Sequence, residues 1–163
     1  MPSFDISNKI DLQKIDNAIQ TAKKELLTRY DLKDEACVIE FDKKDKKLAL
    51  EAKQEMALSS MVDIILSKFS KQALDVRSLD LTKKPVASGK ILNQTIQLKE
   101  GIDKEQAKKI VNFIKNSGVK VQGAIHDDQI RVNGKKIDDL QTVIGLLRQE
   151  DFDLPLQFDN FRS

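Results

Sequence analysis

"VKVQGAIHDDQIRVNGKKIDDLQTVIGLL", Val119 to Leu147, decides how the chain folds. Val121, Gly123 and Ile125 alternate with Gln122 and Ala124 as far as Asp127-Asp128. Beyond that pair, Ile130 and Val132 alternate with Gln129, Arg131 and Asn133. Alternation on both sides of an Asp-Asp turn predicts a β-hairpin. Past Asn133-Gly134 the period changes, and Ile137, Leu140, Ile144 and Leu147 fall on one helical face. Strand, strand and helix in this order form the middle of a βαββαβ unit.

The Gly134-Lys135 corner between strand and helix invites a phosphate reading. A P-loop needs G-x-x-x-x-G-K-[ST], because successive backbone N–H groups must wrap the phosphates. Gln129 stands where the first glycine should be, and Lys136 where Ser or Thr should be. Ser88-Gly89-Lys90 fails as well, with Lys84 and Ile91 at those two positions. Asp138 and Asp139 in the first helical turn favour the positive end of the helix dipole and compete with an incoming anion. The corner therefore reads as a turn, with Lys135 and Arg131 as peripheral phosphate contacts.

Working outward, Ser3 to Asn8 alternates as a strand, with Phe4 and Ile6 on one face. Asp11 caps a helix through about Tyr30 that carries Leu12, Ile15, Ile19, Ala22 and Leu26 inward. Cys37, Ile39 and Phe41, then Leu48, Leu50 and Ala52, make a hairpin around the polar turn Lys43 to Lys46. A helix follows from about Glu55 to Gln72, then a short strand near Val76 to Leu81. Lys83-Lys84-Pro85 reads as a linker, after which the order repeats. Ile91 to Lys99 is a strand, Asp103 caps a helix to Asn116, the quoted hairpin and helix come next, and Pro155 to Phe158 is a last strand. The expected fold class is α+β: two tandem ferredoxin-like (βαββαβ) domains, residues 1–84 and 85–163. Ile10-Asp11 and Ile102-Asp103 occupy corresponding strand-to-helix corners of the two.

Composition narrows the function. The 163 residues are 40% hydrophobic and 33% charged, which fits a folded rather than a disordered chain. No apolar run approaches the ~20 residues that a membrane helix needs. The first residues, Met1 to Asp5, carry an acid and no apolar core of a signal peptide. One cysteine, Cys37, fits a reducing compartment, so a cytoplasmic protein is expected. Net charge is only +2, but residues 1–82 hold 14 Lys/Arg against 15 Asp/Glu and residues 83–163 hold 14 against 11. The second half is thus the basic one, a mild pointer to an anionic partner.

Periodicity sets Thr95, Gln97, Lys99, Lys120, Gln122, Ala124, Gln129, Arg131 and Asn133 on the sheet face opposite the helices. Lys99, Lys120, Lys135 and Arg131 are candidate phosphate contacts, and Gln122 and Asn133 candidate contacts to base or ribose. No aromatic side chain stands on this face to stack bases, which disfavours sequence-specific RNA reading. Catalytic constellations are thin. His126 is the sole histidine, and with Asp127-Asp128 it reads as a hairpin tip, not a metal site. Cys37 reads as a small buried hydrophobe. No catalytic residue, metal or cofactor is expected. The tail "PLQFDNFR" offers Phe158, Phe161 and Arg162, residue types that anchor protein interfaces.

Several ordered motifs resemble the bacterial YajQ family from end to end: "MPSFDI" at the start, "SLDL" at Ser78 to Leu81, "KKIVNFIKNS" at Lys108 to Ser117, "IRVNGKKIDDLQTVIGLLR" at Ile130 to Arg148 and "PLQFDNFR" at Pro155 to Arg162. "RYDLKD" at Arg29 to Asp34 departs from the family's more usual Arg-Phe-Asp-Phe-Lys-Gly. The resemblance implies ferredoxin-like domains with exchanged N-terminal strands, residues 3–8 joining the second sheet and 91–99 the first. Ser3, Asp5 and Ser7 would then border the Lys120 and Arg131 set. It also implies a non-enzymatic protein that binds a purine nucleotide or cyclic di-GMP, with a regulatory effector role among the family's forms. The rivals are an RNA- or tRNA-binding protein, a protein-interaction module regulated by nucleotide, and an acylphosphatase-like enzyme. The last lacks an Arg-bearing phosphate loop after either first strand.

Overall fold

The structure, a computed structural model, describes residues 1–163. In chain order the elements are β1 (Ser3–Ser7), α1 (Leu12–Thr28), β2 (Val38–Asp42), β3 (Lys47–Ala52), α2 (Glu55–Lys71), β4 (Leu79–Asp80), β5 (Val86–Ser88), β6 (Ile91–Leu98), α3 (Lys104–Asn116), β7 (Val121–His126), β8 (Gln129–Gly134), α4 (Ile137–Gln149) and β9 (Gln157–Arg162). They make a mixed α/β protein with two sheets and four helices, compatible with tandem ferredoxin-like domains. Two compact units contain them: residues 1–10 with 100–163, and residues 11–99.

In the first unit the sheet order is β7-β8-β1-β9. β1 lies antiparallel to β8, with Phe4 opposite Val132 and Ile6 opposite Ile130. These four side chains, all 0% exposed, pack against Ile110 and Ile114 of α3 and Leu140 and Ile144 of α4. Each such burial contributes roughly 1.5–3 kcal/mol. Asp103 caps α3 by accepting from Gln106 N at 2.8 Å. Such a cap is worth about 1 kcal/mol. Gly118, at φ +78, follows the end of the helix, a conformation that glycine adopts without a Cβ clash.

In the second unit the order is β2-β3-β6-β4, with β5 also paired to β6. Leu48, Leu50 and Ala52 of β3 are 0% exposed, and Ile15 and Ile19 of α1 and Leu58, Met61 and Phe69 of α2 are buried with them; α2 packs on β3, α1 on β2, and the two helices on each other. Asp11 caps α1 by accepting from Lys14 N at 3.1 Å, so both predicted aspartate caps are made.

Between the Lys83-Lys84-Pro85 linker and the Ile91 strand stands a further short strand that alternation did not give: β5 folds back on β6 through Gly89-Lys90, with Gly89 at φ +64 as a tight hairpin turn requires. Two local expectations need correction. The last strand is longer than Pro155 to Phe158 and later, because a bulge at Asn160, φ +57, lets it run on to Arg162. The extra residue also keeps Phe158 and Phe161 on the same side, where both rings touch Phe4, at 6.1 and 5.8 Å between centroids. Ile137, expected inward on α4, is 55% exposed, and Val143 takes the buried position instead.

Candidate functional site

The quoted hairpin and helix build a cavity of about 790 Å³ in the first unit. It opens where β7 begins, β8 ends and α4 starts. Lys120 and Gln122 come from β7 and its approach, Asn133 from β8, Lys135 and Lys136 from the corner, and Asp139 and Thr142 from α4. Val119, Val121 and Met1 supply apolar wall. Gln122 stands opposite Asn133 on adjacent strands, so their amides share one face. Four of the six residues singled out in the sequence, Lys120, Gln122, Asn133 and Lys135, thus converge on one cavity. Lys136, Asp139 and Thr142 were missed as lining residues. Lys136 is the N-cap of the helix that follows, and Asp139 and Thr142 lie in its first two turns on the side that faces Lys135, a helical spacing that carries the signal.

The corner does not wrap an anion in its backbone. Gly134 belongs to β8, opposite Val121, and its N–H donates to Pro2 O at 3.1 Å. The glycine is there for space. A Cβ on it would meet Val121 Cγ1 at 3.0 Å and Leu140 Cδ2 at 3.2 Å. Lys136 occupies the N-cap of α4 and makes no side-chain cap bond, while Asp138 and Asp139 lie in the first turn. Positive charge at this site comes mainly from Lys120, Lys135 and Lys136, all exposed, and Asp139 adds a half-buried acceptor. Such a set can neutralise phosphate and hydrogen-bond a base or sugar.

Arg131 and Lys99 do not line the cavity. Lys99 follows β6 in the second unit, where its N–H donates to Ser78 O at 2.7 Å. Thr95 and Gln97 stand on β6 as well, so none of the three shares a face with Lys120. Arg131 instead donates Nε to Asp5 Oδ1. Burial pushes the Asp5 carboxyl up, but bonds from Arg131 and Asn160 and the charges of Arg131 and Arg162 outweigh it and hold it below the ordinary carboxylate range. The same bond and the charge of Asp5 raise the Arg131 guanidinium.

The face expected to be open closes toward its centre. Gln122 and Ala124 on β7 are exposed and Arg131 and Asn133 on β8 half-buried, while Ser3, Asp5 and Ser7 on β1 are at most 6% exposed. The face also carries acid, since Asp5 stands opposite Asp159, whose carboxylate Lys9 holds at 3.3 Å. The face stays open on the β7 side, where the cavity lies.

The tail residues divide. Phe158 is half-buried with the Arg148 guanidinium 5.5 Å above its ring, Phe161 is 56% exposed, and Arg162 is exposed opposite Ser3. Cys37 is half-buried; burial and the nearby Glu35 and Asp31 carboxylates push its thiol up, away from nucleophilic thiolate character. His126 is exposed at the hairpin tip, and no three metal-ligating side chains converge anywhere in the chain. No helix is long and apolar enough to cross a membrane.

Comparison with known proteins adds the family. The family model described as "Nucleotide-binding protein YajQ-like" matches residues 2–162. A protein of Chloroherpeton thalassium named "Nucleotide-binding protein" is 49% identical over 160 residues, covering 98% of this chain and 97% of its own. Proteins of the same name from Cytophaga hutchinsonii and Pseudomonas putida are 46% and 48% identical, covering 99% and 100% of this chain and the whole of their own.

Proposed function

The chain belongs to the YajQ family, and from that membership we propose that it is a non-enzymatic nucleotide-binding protein whose ligand sits in the cavity between β7, β8 and α4. The observation that carries the reading is the convergence of Lys120, Lys135 and Lys136 with Gln122, Asn133 and Asp139 around one space of nucleotide size. The ligand is a purine nucleotide or a cyclic dinucleotide. Its phosphates lie against the lysines, Gln122, Asn133 and Asp139 meet base or ribose, and Val119 and Val121 cover the apolar faces of the ligand. Arg131 supports the site from β8 through its pair with Asp5 rather than by touching phosphate. The relatives' names describe binding and not catalysis, which supports a binding or effector role. Burial of Ser3, Asp5 and Ser7 leaves no open central strand for single-stranded RNA and favours the small ligand.

The same reading takes the two units as ferredoxin-like domains that have exchanged their first strands. Pairing of β1 with β8 and β9, and of β6 with β3 and β4, supports it. A cytoplasmic location is part of the reading and is supported by the single cysteine. Native mass spectrometry of the purified protein tests the function: a co-purifying mass of nucleotide size supports it. No adduct, together with no binding of added nucleotides by calorimetry, would overturn it.

A further inference from the structure

We propose that this chain self-associates through the outer edge of β7, which pairs antiparallel with β7 of a second copy about a two-fold axis at Ala124. The proposal does not depend on the nucleotide reading.

Sheet edges offer unpaired N–H and C=O groups, and folded proteins blunt them with charges, proline, bulges or short strands. Four of the five outer strands here are blunted in that way. β9 carries Asp159 and Arg162 and the bulge at Asn160. β2 carries Glu40 and Asp42, and β4 and β5 are only two and three residues long. β7 has none of these devices. Val121 to His126 contains no carboxylate, lysine, arginine or proline, and its register with β8 runs unbroken from Val121–Gly134 to His126–Gln129. Val121 N–H bonds Val119 O rather than β8. In an antiparallel ladder alternate residues serve one neighbour. Val121, Gly123 and Ile125 are therefore the residues whose backbone turns away from β8.

The strand is also complementary to itself. Antiparallel partners share a face, so the axis must pass through a residue and not between two. With Ala124 on the axis, Ile125 of each copy opposes Gly123 of the other. Ile125 is 44% exposed. Gly123 presents a notch floored by Ile114, Val111 and Ile130, each within 3.7 Å of where its Cβ would stand. The backbones of Gly123 and Ile125 then exchange hydrogen bonds on both sides of the axis. On the other face Gln122 opposes His126. Just beyond the strand Lys120 opposes Asp128, with Asp127 beside it, so the ends carry two opposite-charge pairs. Moving the axis to Gly123 sets Lys120 against His126 and loses both pairs. Charge and shape thus choose the same register, and the occupant they fit is a second copy of this chain.

Sedimentation velocity over a range of concentrations tests the pairing. The expected mass rises from 18.5 kDa toward twice that value. Amide exchange at Gly123 and Ile125 slows in step. Ile125→Lys, a charge on the exposed edge, should hold the protein monomeric with an unchanged melting curve. Lys120→Glu should weaken the dimer, and Lys120→Glu combined with Asp128→Lys should restore it. A protein that stays at 18.5 kDa throughout would overturn self-pairing and leave the edge to an extended segment of another protein. A dimer that survives Ile125→Lys unchanged would overturn it too.

Discussion

Arg131 on β8 donates Nε to Asp5 Oδ1 on β1 at 3.0 Å, joining side chains 126 residues apart in sequence. Asn160 of β9 donates to the other carboxylate oxygen at 2.6 Å, so one buried acid ties three strands together. Arg131→Ala leaves that acid without its charged hydrogen-bond donor. The expected loss is roughly 1–3 kcal/mol of unfolding free energy, the cost of an under-satisfied buried group. Nucleotide affinity should change far less than it does in Lys120→Ala. Urea unfolding and calorimetry on the same variant check both statements.

Asp5 also sets a pH dependence. Its carboxyl is held below the ordinary value in the folded protein. A depressed acid stabilises the fold above the unfolded value, near 3.9, and that stabilisation is lost as pH falls through the lowered folded value. The stability difference between wild type and Asp5→Asn should therefore be flat from neutrality to about pH 5 and shrink below about pH 4. Urea titrations at several pH values measure it; a difference that grows on acidification would contradict the sign.

Gly134→Ala tests why glycine stands at the corner. The new methyl meets Val121 at 3.0 Å and Leu140 at 3.2 Å, in a backbone conformation that alanine tolerates. Crowding alone should cost about 1–3 kcal/mol. The melting temperature should drop, and amide exchange should quicken at the start of β7, the wall of the cavity.

Lys68, only 7% exposed, donates Nζ to Glu25 Oε1 at 2.8 Å in the second unit. Glu25 keeps access to water, so it can be hydrated once its partner is gone. Lys68→Met, which preserves the length of the buried stem, should be neutral or stabilising. Lys68→Ala should destabilise, through lost packing. Thermal melts of the two variants should separate in that order.

The elements were legible because each carries a local signal. Asp11 and Asp103 cap the helices they precede, and Asp127-Asp128 turns the hairpin it interrupts. The misreadings came from residues that serve two purposes. Asp159-Asn160 has the composition of a turn, yet Asn160 forms a bulge that prolongs β9 and keeps Phe161 beside Phe4. Gly89-Lys90, which fails as a phosphate loop, is a hairpin turn whose short partner strand Val86–Ser88 carries too little alternation to be read as one. The lysines and amides of the cavity could be picked out because charge and alternation are local properties. The pairing of Arg131 with Asp5 was not visible from local pattern, since it depends on which strands become neighbours. Residue alternation shows that Arg131 points away from the helices but not what it meets there.

The most direct test of the central claim is calorimetric titration of wild type and a Lys120→Ala/Lys135→Ala variant with a purine triphosphate, a cyclic dinucleotide and a tRNA, at low and at physiological salt. Single-stranded nucleic acid loses about 0.7 log units of affinity per contacted phosphate per log unit of salt, whereas a small ligand touches few phosphates. The account predicts that at least one small nucleotide binds at physiological salt and loses on the order of tenfold or more in the variant, as expected when charge-assisted contacts are removed. Undiminished affinity in the variant, or tight tRNA binding at physiological salt with neither small ligand bound, would contradict it.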